Sequence, residues 1–306
     1  MYQTILVPLD GTVFSERALP LASTIARATG SRLVLMRAAW APQQPGMDTL
    51  ESQQWAIREA HMYLESVAQG LKAQDLPVEL SAPHALADVA ILREIAVQGA
   101  DLVVMASHRQ PNRQHEIVGS IAQSVLSSSP VPVIVLRVEE HVHPSPRPHA
   151  PEILVPLDGS AFAETVLPFA VDLARALHWS LTLLRVLPEP GQPGFVPERY
   201  LDEEAEAVSY LVNTASSLRK KGVKVRTDAK AGPPARTILE QCHLHDASMI
   251  AMATHGRTGQ RQLAFGSVTL AVLRESDRPL LLIHPSEETP AQRTTEPGLA
   301  ELMPSR

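Results

Sequence analysis

Ala253-Thr254-His255-Gly256-Arg257-Thr258-Gly259, followed after five residues by Phe265-Gly266-Ser267-Val268, holds the residues best suited to chemistry in this 306-residue chain. Glycines let a backbone approach an anion closely and present successive amides to it. Gly266-Ser267 opens a stretch of helical periodicity running to about Glu275, so a helix dipole and a hydroxyl donor arrive at the same point. The combination is an anion cradle suited to phosphate. No Gly-Lys-Ser/Thr ending and no GxGxxG spacing occurs in the chain, which excludes a Walker loop and a dinucleotide fingerprint.

A second chemical signal is a repeat. Ile5-Leu6-Val7-Pro8-Leu9-Asp10-Gly11 returns as Ile153-Leu154-Val155-Pro156-Leu157-Asp158-Gly159, displaced by 148 positions, and the register continues through Leu19-Pro20 and Leu167-Pro168. This is the mark of a duplicated unit. Asp10 and Asp158 each close an apolar run. A carboxylate there can accept hydrogen bonds from sugar hydroxyls or an amino group, or it can cap the turn that follows. Topology favours ligand contact for Asp158, which shares a sheet edge with the glycine loop.

The first copy departs from the second. Its loop reads Ala106-Ser107-His108-Arg109, then Gly119-Ser120, and Arg109 occupies the place of Gly256. A side chain there obstructs a phosphate and disfavours positive φ, although a guanidinium can instead meet a different anion. The expectation is therefore asymmetric, with the second copy binding and the first mainly completing the fold. His255 is read as holding the loop backbone rather than catalysing. Cys242-His243-Leu244-His245 lies on a helical segment without a matching second cluster, and His141, His143 and His149 fall in a proline-rich stretch, so no metal site is assigned.

The elements that position these residues follow from periodicity. Each copy alternates short apolar runs with amphipathic helices, the pattern of βαβ units and a parallel sheet. Strands are expected at 4–9, 33–37, 78–80, 101–105 and 133–136, and again at 181–185, 223–225, 249–252 and 280–283 after the repeated opening run. A helix is expected at about 15–29, and longer helices at 52–73 and 201–221. This divides the chain into residues 1–138, a Pro/His-rich linker at 139–151, residues 152–285, and a polar tail at 286–306. Ligands of open parallel sheets bind at the carboxyl ends of strands, where Asp10, Asp158 and both loops lie.

Composition narrows the function classes. Net charge is −6 and aromatics make up 4%, which disfavours a nucleic-acid surface of stacked rings and basic residues. A single cysteine, Cys242, gives no internal disulfide, no apolar run reaches the ~20 residues of a membrane span, and the chain opens in a strand-like run. A cytoplasmic protein without membrane attachment is expected.

The Val-Pro-Leu-Asp-Gly opening, Thr254-His255-Gly256 and the later Gly266-Ser267 resemble the universal stress protein family over residues 1–138 and 151–285. The family's ATP-binding pattern is Gly, two residues, Gly, nine residues, then Gly with Ser or Thr. Ala253 here stands at its first glycine. The resemblance implies two tandem α/β domains, each a five-stranded parallel sheet in order 3-2-1-4-5, forming a pseudo-dimer within one chain, with a homodimer of the whole open. It implies ATP, with or without Mg2+, as the ligand, with phosphates near Gly256, Gly266 and Ser267, and with His255, Arg257, Gly259 and Val268 in the same nucleotide-binding set. Asp158 would stand near the ribose and adenine beside Pro156 and Leu157. The backbone of Val186 would meet the base, with Met252 and Ala253 completing the set. A weaker second site would use Asp10, Ala38, Gly119 and Ser120. Three functions stay open: a nucleotide-dependent stress-response module without strong catalysis, a slow ATPase or other nucleotide-dependent enzyme, and a scaffold that binds no nucleotide.

Overall fold

The computed structural model describes residues 2–40, 48–108, 119–138, 151–189, 191, 196–254 and 265–284. The first copy runs β1 (Thr4–Pro8), α1 (Leu19–Thr29), β2 (Arg32–Met36), α2 (Thr49–Lys72), β3 (Val78–Ser81), α3 (Ala87–Val97), β4 (Leu102–His108), α4 (Ser120–Ser128) and β5 (Val133–Val138). The second runs β6 (Glu152–Pro156), a short α5 (Ala161–Glu164), α6 (Leu167–Leu177), β7 (Ser180–Leu187), α7 (Tyr200–Arg219), β8 (Val225–Ala231), α8 (Pro234–Leu244), β9 (Met249–Ala253), α9 (Ser267–Glu275) and β10 (Leu280–Ile283).

Among the described residues the ten strands form one sheet in the order β3-β2-β1-β4-β5-β10-β9-β6-β7-β8. Within each copy the pairing is parallel and the order is 3-2-1-4-5, as expected. The copies join where β5 and β10 pair antiparallel, with Val133 opposite Leu282 and Val135 opposite Leu280. The pseudo-dimer is thus one continuous sheet. On one face α1, α2, α6 and α7 pack against residues such as Ile5, Leu33, Ile153 and Leu181, and on the other α3, α4, α8 and α9 cover Leu6, Val103, Leu154 and Ile250. Central strands buried on both faces explain why β9 is apolar throughout and β4 is apolar from Leu102 to Ala106.

Two sequence expectations need correction. The segment preceding α1, expected as regular helix from Ser15, is a 3-10 turn at Ser15–Ala18, with Pro20 at the helix start where its missing N–H costs nothing. The strand expected at 223–225 lies at Val225–Ala231 instead. Its residues Arg226, Asp228 and Lys230 hide the strand from a hydrophobicity reading, because β8 is the sheet's edge and tolerates charge there.

Candidate functional site

In the second copy the chain leaves β6 at Pro156, and the Leu157 amide donates to Leu184 O at 2.8 Å, which ties the turn to the middle of β7. Asp158 then accepts from the Ser160 amide at 2.9 Å and the Ser160 hydroxyl at 2.5 Å. The Ser160 hydroxyl in turn accepts from the Ala163 amide at 3.1 Å and caps α5. Asp158 is therefore a turn-former as well as a residue at the cavity. Gly159 sits at φ +80°, and an added Cβ would come within 2.6 Å of Arg185 Nη1. Only glycine suits that backbone and that approach.

Across the cavity, β9 ends at Ala253 and the Thr254 amide donates to Ile283 O at 2.9 Å. The Gly266 amide donates to Thr254 O at 2.8 Å, and the Thr269 hydroxyl donates to Ala253 O at 3.2 Å, pinning the start of α9 to the end of β9. The first intrahelical bond of α9 is Leu270 N to Gly266 O at 3.0 Å, so the amides of Ser267, Val268 and Thr269 precede the helical ladder. Three oriented amides and the helix dipole make this end of the cavity attractive to an anion.

A cavity of about 270 Å³ lies between these two ends. Pro156, Leu157, Asp158, Val186, Met252 and Ala253 line it, as do Gly266, Ser267 and Val268. Nine of the residues expected from sequence are brought together there. His255, Gly256, Arg257 and Gly259 lie outside the described residues, as do Arg109, linker residues 139–150 and the tail. Pro234 and Ile238 of α8 form a wall that sequence reasoning missed, since nothing in their spacing points to a ligand.

The first copy has its own cavity, of about 460 Å³, with Asp10, Ala38, Gly119 and Ser120 on its lining together with Arg37, Trp40 and Ser107. Asp10 repeats the turn, accepting from the Thr12 amide at 2.9 Å and hydroxyl at 2.6 Å. The helix start differs: the Gly119 amide donates to the Ser107 hydroxyl at 3.1 Å rather than to a carbonyl.

A further duplicated group stands beside each aspartate. Arg37 lies 5.0 Å from the Tyr63 ring centre and pairs with Glu59 at 3.0 Å, while Tyr63 donates to Glu16 at 2.8 Å. Arg185 lies 5.9 Å from the Tyr210 ring centre and Tyr210 donates to Glu164 at 2.8 Å. Burial, reinforced by the glutamate in each case, pushes both phenols well above their ordinary pKa and keeps them protonated donors. The repeat register itself carries the signal for these residues, since Glu16, Arg37 and Tyr63 recur as Glu164, Arg185 and Tyr210.

Elsewhere, Cys242 is buried, and burial pushes its thiol up to about 12. His243 faces Asp277 at 3.2 Å, and His245 lies between Asp228 at 3.4 Å and buried Glu152 at 3.9 Å. Among the described residues no group of three His, Cys, Asp or Glu side chains is placed to hold a metal, and no helix is long and apolar enough to cross a membrane. Any Mg2+ accompanying a nucleotide would be carried largely by phosphate and water oxygens.

A model of the universal stress protein family matches residues 1–137 and 151–284. A universal stress protein of Mycolicibacterium smegmatis is 24% identical over 291 residues, covering 92% of this chain and 97% of that protein. Universal stress protein YxiE of Bacillus subtilis is 30% identical over 144 residues, 43% of this chain and 97% of its own length. The crystal structure of a universal stress protein from Archaeoglobus fulgidus aligns over 94% of this chain and 97% of that one with a TM-score of 0.70, at 19% identity, a likeness of fold.

Proposed function

The chain belongs to the universal stress protein family, and from that premise we propose that its second copy binds an adenine nucleotide, ATP, and acts as a nucleotide-responsive stress module rather than through strong catalysis. The observation that carries this reading is the cavity bounded by Asp158 at one end and the open first turn of α9 at the other. Asp158 receives the ribose, the backbone near Val186 and the apolar wall of Ile238 receive the base, and the amides at Ser267 to Thr269 face phosphate. The residues present fit the group in charge and in polarity. No step of bond cleavage is assigned to them.

Isothermal titration of the whole protein with ATP is the test. The wild type should bind, Gly256→Arg should weaken binding, and Asp158→Ala should lower affinity roughly 10- to 100-fold, as expected for hydrogen bonds to a charged group. Absence of binding at millimolar ATP removes the proposal.

A second reading is favoured by the larger cavity of the first copy, in which both copies hold ligand. Stoichiometry separates the two. One site unaffected by Asp10→Ala supports the first reading, and two sites, one lost in Asp10→Ala, support the second. Mass spectrometry of material released from the denatured protein identifies the ligand in either case.

A further inference from the structure

Helices α2 and α7 are counterparts, and Tyr63 and Tyr210, each bonded to its glutamate at 2.8 Å, set the register between them. In that register the exposed positions Gln54, Arg58, His61 and Glu65 of α2 correspond to Leu201, Ala205, Val208 and Val212 of α7. Spacings of four, three and four residues put each set on one stripe of its helix. The stripe is polar in the first copy and apolar in the second, where Leu201 is 76%, Val208 46% and Val212 45% exposed. It is separate from the packed face of α7, which uses Ala207, Leu211, Ala215 and Leu218 and lies roughly a quarter turn away. Tyr210, on the opposite flank, faces Glu164 and Arg185, so the stripe is turned away from that cluster.

We propose that this stripe is an interface between two copies of the chain, with α7 pairing antiparallel to its counterpart. The four-three-four repeat is the seam of a helix pair. Charge selects the orientation. Asp202, Glu203, Glu204 and Glu206 occupy the first half of α7, and Arg219, Lys220 and Lys221 occupy and follow its last turn. Parallel pairing sets like charges and like helix dipoles together, whereas antiparallel pairing opposes both. With Val208 against the partner's Val212, Asp202 approaches the partner's Lys220 and Leu201 lies along the aliphatic stem of the partner's Arg219. The neighbouring edge strand β8 carries Arg226, Asp228 and Lys230 at alternate positions, which guards it against strand pairing and leaves the helix as the associating element.

Size sets the strength. A 20-residue helix is ~30 Å long, and one helix pair buries less than the ~1,000 Å² of a stable interface. The dimer is therefore reversible and concentration-dependent.

Sedimentation of the full chain over a range from micromolar to several hundred micromolar should show a monomer–dimer equilibrium. The double variant Val208→Glu, Val212→Glu should raise the dissociation constant ~10-fold or more. Because both positions are exposed, an unchanged circular dichroism spectrum and melting point verify that the variant folds. Orientation is read by cross-linking: a Val208→Cys chain mixed with a Val212→Cys chain should form a mixed disulfide, and Leu201→Cys should not couple to itself. A monomer at every concentration, a dimer indifferent to the double variant, or preferential Leu201→Cys self-coupling overturns the proposal.

Discussion

At Gly159 the backbone runs at φ +80° directly beneath the Arg185 guanidinium, and at Gly30 it runs at φ +72° with open space around it. The two positions separate strain from crowding. Gly30→Ala should cost about 1 kcal/mol, the penalty of a left-handed alanine. Gly159→Ala should cost more, about 2–3 kcal/mol, because Arg185 must also move, and urea unfolding of both variants measures the difference. Cys242 makes a second prediction at this scale. Its thiol rises from 9.0 to about 12 through burial, so its contribution is intact below pH 9 and is lost as pH climbs towards 12, since the unfolded chain releases that proton first. Tyr2, also buried and also raised above its ordinary 10.0, adds to the loss at higher pH. The melting temperature should fall above about pH 9, and the fall should be shallower in Cys242→Ala.

Among the elements, α1 and α6 end at equivalent points but with different residues. Gly30 closes α1 in the left-handed conformation, and His178 closes α6 at φ +57°. Left-handed backbone is easy for glycine and strained for histidine. His178→Gly should therefore stabilise the protein by about 0.5–1 kcal/mol, read as a higher urea midpoint at unchanged slope. The helices around the cavities were legible from sequence because apolar residues recur on one face over many turns. The edge strand β8 was not. Its placement depends on hydrogen bonds to β7, with Leu181 opposite Val225 and Leu187 opposite Ala231, and those owe nothing to side-chain polarity.

For the whole molecule the decisive contact is β5 against β10, supported by α1 packing on α6 and by the Tyr2 hydroxyl donating to Phe169 O at 3.3 Å. Val133, Ile134 and Val135 would be a bare apolar edge without the second copy. A fragment of residues 1–138 should consequently self-associate through β5, and size-exclusion chromatography with light scattering should report twice the fragment's mass. A monodisperse monomer would show that the copies stay together for some other reason.

Repetition and periodicity, read from the sequence alone, determined the α/β class, the duplicated unit, its strand order by family resemblance, and the residues at the strand ends. Those features are local or repeat in sequence, so one chain displays them twice. Tertiary structure alone decided the register in which β5 meets β10 to join the two sheets of the expected pseudo-dimer, that Pro234 and Ile238 wall the second cavity, and that Arg37 and Trp40 line the larger first one. Cavity walls are assembled from helices and strands far apart in the chain, and their side chains carry no motif, because packing against a sheet edge constrains size and shape rather than residue type. The same reason hid the stripe on α7, where Leu201, Val208 and Val212 read as ordinary helix residues until the fold showed that nothing among the described residues covers them.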